Sequence, residues 1–143
     1  MPRVNIDLPE QFSFFTEVPI LASDINFANH LGNDRLMGLL QEARIRYFKW
    51  LGYNEADVEG SSMILADAAL QYISEGFHGD QIKIEVTMGD FSRCGMDIYY
   101  RATNLTTGKL LCKAKTGLVF FNYTTRKVEA VPEKFREKAF SIK

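Results

Sequence analysis

The sequence predicts an α+β fold in which an antiparallel sheet wraps around one long helix. Residues 34–51 carry apolar side chains at helical steps of three and four, at Leu36, Leu39, Leu40, Ala43, Tyr47 and Leu51. The segments after residue 60 alternate apolar and polar side chains instead, which indicates strands with one covered face. Because a sheet must bury that face against a second layer, the single long helix is expected to fill it.

Each element has its own local signals. A first strand is predicted around residues 12–20, and Pro19 favours a position at the edge of a sheet. Asn33 or Asp34 can cap the long helix with a side-chain oxygen, and Gly52 provides a stop. Further strands are predicted at residues 63–73, 81–89, 97–104 and 109–123, separated by turn-forming residues.

Length and charge narrow the classes of function. A chain of 143 residues with 46% hydrophobic residues can bury one core, so we expect one domain over residues 1–143, with terminal extensions at 1–10 and 133–143. Seventeen basic and eighteen acidic residues leave a charge of −1 without charge blocks, which argues against nucleic-acid binding. No apolar run has the length of a signal peptide core or a membrane span, so a cytoplasmic protein without membrane contact is expected.

The two cysteines and two histidines do not form a metal-binding pattern. Cys94 and Cys112 have no C-x-x-C spacing and are expected to be reduced packing residues. His78 precedes Gly79 and Asp80 and is expected in a turn. His30, in contrast, lies in a polar loop directly before the long helix, where free N–H groups and the helix dipole favour an anion. This loop is the predicted functional site.

The loop and helix carry a family resemblance. The segment S-D-I-N-F-A-N-H-L-G-N-D, followed by L-x-x-L-L-Q-E-A-R-I-R-Y-F, resembles the S-D-x-D-x-x-G-H-x-N-N and E-E-A-R motifs of hotdog-fold acyl-CoA thioesterases of the 4-hydroxybenzoyl-CoA thioesterase type. The resemblance implies a long central helix wrapped by a five- or six-stranded antiparallel sheet. It also implies a homodimer or homotetramer with acyl-thioester sites at the dimer interface, a substrate carried on coenzyme A or on acyl carrier protein, and no further cofactor.

Two positions of the loop depart from the family motif. The backbone N–H that stabilises the oxyanion maps to Asn33, a role that needs no particular side chain. The catalytic aspartate, however, maps to Asn26, and an amide is neither a base nor a nucleophile at neutral pH. The glycine before the histidine is replaced by Asn29. His30 either takes part in the chemistry or braces the loop as a bonded imidazole.

Three carboxylates are candidates to replace the missing aspartate. Asp24 could pair with His30, although an aspartate before a loop often stabilises a turn. Glu42 could reach a cleft, or it could form a solvated helix pair with Arg46. Asp67 interrupts the apolar run M-I-L-A-D-A-A-L, so we expect it to be buried and therefore paired or functional.

The coenzyme A phosphates need basic partners at the rim of the site. Arg and Lys suit phosphate groups, and the candidates Arg93, Lys113, Lys115 and Arg126 could equally belong to a solvated strand face.

The sequence leaves three functions open. The first is an acyl-CoA thioesterase, in which the Asn33 N–H holds the oxyanion while Asn26, His30 and a carboxylate hold water. The second is a protein that binds acyl-CoA or acyl-carrier thioesters without hydrolysing them, as the amide at Asn26 allows. The third is a hotdog enoyl-CoA hydratase with Asp24, Asn26 and His30, although the histidine lies one residue too far along for that motif.

Overall fold

The structure, a computed structural model, describes residues 3–142. Within these residues the chain forms β1 (Phe14–Pro19), α1 (Asn33–Trp50), β2 (Ser62–Tyr72), β3 (Gln81–Gly89), β4 (Gly95–Asn104), β5 (Lys109–Asn122), β6 (Lys127–Val128) and α2 (Glu133–Ser141). The predicted long helix and the predicted strands are therefore present, with ends that lie within two residues of those expected.

The strands form one antiparallel sheet in the order β1-β3-β4-β5-β2, and β6 pairs with the end of β5. The predicted α+β class and the six-stranded antiparallel sheet are confirmed. β1 lies at one edge, as Pro19 indicated, and its six residues pair with β3 alone. β2 forms the other edge and pairs with β5 alone, so its outer backbone groups face away from the sheet.

The core lies between one stripe of α1 and the inner face of the sheet. Leu36, Leu40, Ala43 and Tyr47 are at most 2% exposed. Alternate residues of the central strands are buried against them, including Ile82, Ile84, Val86, Ile98 and Tyr100. Burying one such apolar side chain stabilises a fold by about 1.5–3 kcal/mol. On the opposite flank of α1, Gly38, Glu42 and Lys49 are exposed and Arg46 is half-buried.

The segment near the C-terminus is part of this core. In α2, the Phe135 side chain is 1% exposed, and its ring lies 6.0 Å from the ring of Phe48 on α1. On the N-terminal side Ile6 is also buried, and its N–H donates to the Gln71 side chain. Residues expected as terminal extensions thus contribute apolar side chains to the packed interior.

The start of α1 differs from the sequence prediction. The N-cap is Gly32, with φ −65° and ψ 141°, and no side chain caps the helix. Asn33 and Asp34 lie inside the first turn, so the predicted capping by either side chain is wrong. A backbone hydrogen bond holds the N-cap residue instead, because the Gly32 N–H donates to the Asp24 carbonyl at 2.9 Å. Asp34 still lies at the positive end of the helix dipole.

Candidate active site

A cleft of about 520 Å³ opens at the start of α1. One wall is the loop of residues 26–33, and the other is the end of β2 with the segment that follows it, residues 72–76. Leu36 and Leu111 contribute apolar side chains between the two walls. The volume lies within the range of about 300–1,000 Å³ that is typical of small-molecule sites.

The loop is held in shape by its own asparagines. The Asn26 side-chain oxygen accepts a hydrogen bond from the Ala28 N–H at 2.9 Å, and the Asn26 N–H donates to the His30 carbonyl at 2.9 Å. Asn29 has φ 65°, in the left-handed region where glycine is favoured and asparagine is among the better tolerated alternatives. Asn29, which stands where the family motif has glycine, therefore adopts a backbone conformation that favours glycine.

His30 contacts the loop backbone through one ring nitrogen, and its other ring nitrogen has no partner among residues 3–142. The imidazole is half-buried, and its Nδ1 lies 3.1 Å from the Leu31 carbonyl oxygen. Because a carbonyl oxygen can only accept, Nδ1 carries a hydrogen in this contact, and in the neutral imidazole Nε2 is then the acceptor. Nε2 is therefore available to accept a hydrogen bond from a bound water.

The first turn of α1 supplies an unused donor. The Asn33 N–H finds no acceptor among residues 3–142, as expected for the first residue of a helix. The Asn33 carbonyl accepts from the Tyr72 hydroxyl at 3.1 Å, which ties the helix start to the end of β2. The pKa of Tyr72 is raised, mainly by burial and further by Cys112 and Asp34, so its hydroxyl stays protonated as a donor.

The second wall is fixed to the loop by the backbone. The Leu31 N–H donates to the Gly76 carbonyl at 2.7 Å, and the Ile73 N–H donates to the Leu111 carbonyl at 3.0 Å. A side chain at Gly76 has no room, because a Cβ there would lie 2.6 Å from Cδ1 of Ile20.

The family model of the thioesterase-like superfamily matches residues 20–139. The chain belongs to the thioesterase-like superfamily. A search of curated proteins found no significant match.

Solved structures with the same fold include several thioesterases. The 1,4-dihydroxy-2-naphthoyl-CoA thioesterase of Synechocystis is 17% identical with a TM-score of 0.81, over 90% of this chain and 96% of that chain. The DHNA-CoA thioesterase of Staphylococcus aureus is 21% identical with a TM-score of 0.79, over 89% and 87%. A Thermus thermophilus thioesterase complexed with coenzyme A and Zn is 22% identical with a TM-score of 0.78, over 94% and 96%. These likenesses confirm the predicted hotdog fold.

The three carboxylates singled out in the sequence lie outside the cleft of this thioesterase-like protein. The Asp24 carboxylate accepts from the Leu21 N–H at 2.9 Å and so stabilises the turn before the loop. Glu42 is exposed and pairs with Arg46 at 2.7 Å. Asp67 is exposed, so the expectation that it is buried is wrong. It lies on an edge strand, next to a register shift in the pairing of β2 with β5.

The four basic candidates for phosphate binding do not line the cleft of their own protomer. Lys113 and Lys115 lie on β5, where the Lys115 ammonium is 3.9 Å from the Asp97 carboxylate. Arg93 is exposed between β3 and β4, and Arg126 lies in the turn after β5, over the ring of Phe121. Their contact with coenzyme A stays a prediction.

Sequence reasoning missed the second wall of the cleft. Tyr72, Ser74 and Glu75 line it, but the segment has no local motif, and it is joined to the loop by long-range bonds, from Leu31 to Gly76 and from Tyr72 to Asn33. Among residues 3–142, no three His, Cys, Asp or Glu side chains are placed to hold a metal ion. No helix in the same range is long and apolar enough to cross a membrane.

Proposed function

We propose that this protein is an acyl-CoA thioesterase that converts an acyl thioester and water to a free acid and a thiol. The observation that carries the proposal is the Asn33 N–H at the positive end of α1, which has no acceptor among residues 3–142, at a residue that lines the same cleft as His30. The thioester carbonyl oxygen would accept from this N–H as the carbonyl carbon is attacked. A fixed donor at that position stabilises the negative charge of the tetrahedral intermediate.

The water is held on the other side of the reacting carbon. His30 accepts one of its hydrogens at Nε2, and the bonded loop of residues 26–30 fixes the imidazole. The Asn26 side-chain oxygen is engaged with the Ala28 N–H, so Asn26 contributes the shape of the loop. The apolar side chains of Leu31, Leu36 and Leu111 favour an acyl group in the cleft.

The exposed edge of the sheet supports a homodimer. β2 pairs with another strand on one side only, although at its start the Met63 N–H donates to the Glu55 carbonyl. Its exposed large apolar side chains include Ile64, Leu65 and Tyr72. An apolar strand edge of this length is a template for pairing with another strand. Two copies joined antiparallel along β2 would cover these side chains, and Tyr72 would bring the cleft to the interface. Sedimentation analysis tests the pairing: Ile64→Lys should shift the protein toward monomer, whereas Ile45→Lys on the exposed flank of α1 should not.

Hydrolysis is tested by thiol release from a panel of short-chain, long-chain and aromatic acyl-CoAs and from acyl carrier protein thioesters. We expect turnover of at least one class by the wild type and a loss of about 10²-fold or more in kcat for His30→Gln. A folded protein that turns over no thioester of the panel would refute the proposal.

A second candidate function is binding of acyl-CoA without hydrolysis. It is favoured by one observation, the amide at Asn26 where the family motif has its acid, with an oxygen already bonded to the Ala28 N–H. Calorimetric binding of a thioester without thiol release from any substrate would favour this candidate.

A further inference from the structure

We infer that Glu75 is the general base of this site, an inference that rests on the proposed thioesterase function. Glu75 is the one carboxylate among the described residues that line the cleft, and it lies on the wall opposite Asn26, the position of the family acid. The chain would then supply the carboxylate from the segment after β2, while the loop supplies the imidazole and the helix start.

The backbone around Glu75 is fixed on both sides. Before it, the Ser74 N–H donates to the Leu111 carbonyl at 3.2 Å, and the Ser74 hydroxyl donates to the Leu110 carbonyl at 2.7 Å. After it, the Gly76 carbonyl accepts from the Leu31 N–H at 2.7 Å. These bonds hold the backbone of residue 75 next to the loop that carries His30. A base on a braced segment needs little reorganisation when the substrate binds.

The carboxylate itself is not engaged by the protein. Among residues 3–142, Glu75 forms no side-chain hydrogen bond and no ion pair, and it is exposed to the cleft. Of the other candidates, Asp24 accepts from the Leu21 N–H and Glu42 pairs with Arg46, while Asp67 does not line the cleft. Only Glu75 therefore combines a position in the cleft with oxygens that are free to accept from water.

In the proposed reaction, one water molecule hydrolyses the thioester and Glu75 carries its proton to the sulfur. Water donates one hydrogen to His30 Nε2 and the other to the Glu75 carboxylate. As its oxygen bonds to the thioester carbon, the proton passes to Glu75, and the carbonyl π pair moves to the oxygen that accepts from the Asn33 N–H. The intermediate then collapses, the C–S bond breaks, and the sulfur takes the electron pair and the proton held by Glu75. Free acid, thiol and ionised Glu75 result.

The first test is Glu75→Gln, which keeps the shape of the side chain and removes the base. We expect kcat to fall by about 10²-fold or more while KM stays within about threefold, because a general base contributes about 10²–10⁴-fold to the rate. The acidic limb of the kcat/KM profile should flatten in the variant. Glu137→Gln, the same change at an exposed position of α2, serves as the matched control and should keep wild-type kinetics.

The second test separates a base from a nucleophile. In a single turnover in ¹⁸O-labelled water, a general base gives an acid labelled by solvent and an unlabelled Glu75. Attack by Glu75 on the thioester would release the thiol and form a mixed anhydride, and cleavage of that anhydride by water at the Glu75 carbonyl gives an unlabelled first product and a labelled Glu75.

The outcomes are distinguishable. Either of two results would overturn the assignment of Glu75 while leaving the thioesterase function intact. The first is turnover by the wild type together with a kcat of Glu75→Gln within fivefold of the wild-type value and a retained acidic limb of the kcat/KM profile. The second is an unlabelled first product. Absence of turnover by the folded wild type would overturn both. Circular dichroism and sedimentation of the variants show that the fold and assembly are unchanged.

Discussion

Replacing Asn33 with proline should remove the oxyanion donor while preserving the helix. Proline lacks the backbone N–H, yet it is well tolerated at the first position of a helix, where that N–H has no intrahelical partner. The residue before a proline prefers an extended backbone, and Gly32 already has φ −65° and ψ 141°. The substitution therefore changes one donor in the cleft and little else.

The size of the effect follows from the role of that donor. Loss of one oxyanion-hole donor lowers kcat by about 10²–10³-fold, or about 2.7–4 kcal/mol in the barrier. We expect a decrease of this size for Asn33→Pro in the thiol-release assay, with the change in Tm below about 5 °C. Asn33→Ala is the matched control, because it removes the side chain and keeps the N–H, and its kcat should stay within about threefold of wild type.

The reasoning would be refuted by a folded Asn33→Pro variant whose kcat matches that of Asn33→Ala. The oxyanion would then be held by another group, and the unpaired N–H at the helix start would have no catalytic role.

Three further predictions concern stability. Gly76→Ala places a methyl group against the buried Ile20 side chain and should lower the free energy of unfolding by about 1–3 kcal/mol in urea titrations; an unchanged midpoint would contradict the close approach. Asn29→Gly should be neutral or stabilising, whereas Asn29→Ala should cost about 1 kcal/mol, because φ is 65°. The pKa of Glu85 is lowered, first by its hydrogen bond from Arg101, so its stabilisation is present above the ordinary pKa of 4.5 and is lost as pH falls through the lower folded pKa. Glu85→Gln should thus cost about 0.5–1 kcal/mol at neutral pH and nothing near pH 2, as measured by unfolding at both values.

The helix and the sheet were predictable because their signals are local. The apolar stripe from Leu36 to Tyr47 and the alternation from Ile82 to Val86 each fix which face is buried, and both faces are buried as expected. Pro19 likewise indicated an edge, since a proline cannot donate to a neighbouring strand. Where the spacing of apolar side chains decides which face of an element is buried, the sequence was sufficient to predict that element.

The burial of Asp67 was not predictable in the same way. Its neighbours form an apolar run that is typical of a covered strand, yet β2 is an edge strand and Ile64 and Leu65 are 37% and 42% exposed. The run is consistent with the proposed pairing of two β2 strands, in which a second chain would cover what one chain leaves open. An apolar strand composition indicates that the side chains are buried, but it does not say whether the same chain or a second chain buries them.

Only one wall of the candidate site could be predicted from the sequence, because only that wall has a sequence motif. The loop wall has a motif, and the motif pointed to His30 and the Asn33 N–H. The opposite wall depends on the bond between Leu31 and Gly76, which are distant in the chain, so no periodicity or spacing places Glu75 near His30. Identifying this wall required the fold.

The two substitutions in the loop motif have a common physical reading. Asn29 occupies the left-handed position and Asn26 bonds the Ala28 N–H, so both asparagines maintain the backbone of the turn. The proposed oxyanion donor is a backbone group at the start of α1, so that role would not depend on the side chain at residue 26. A base needs only to reach the water and can do so from either wall. The loop can therefore carry an amide at Asn26 and remain competent, provided that the opposite wall supplies the carboxylate, as Glu75 is placed to do.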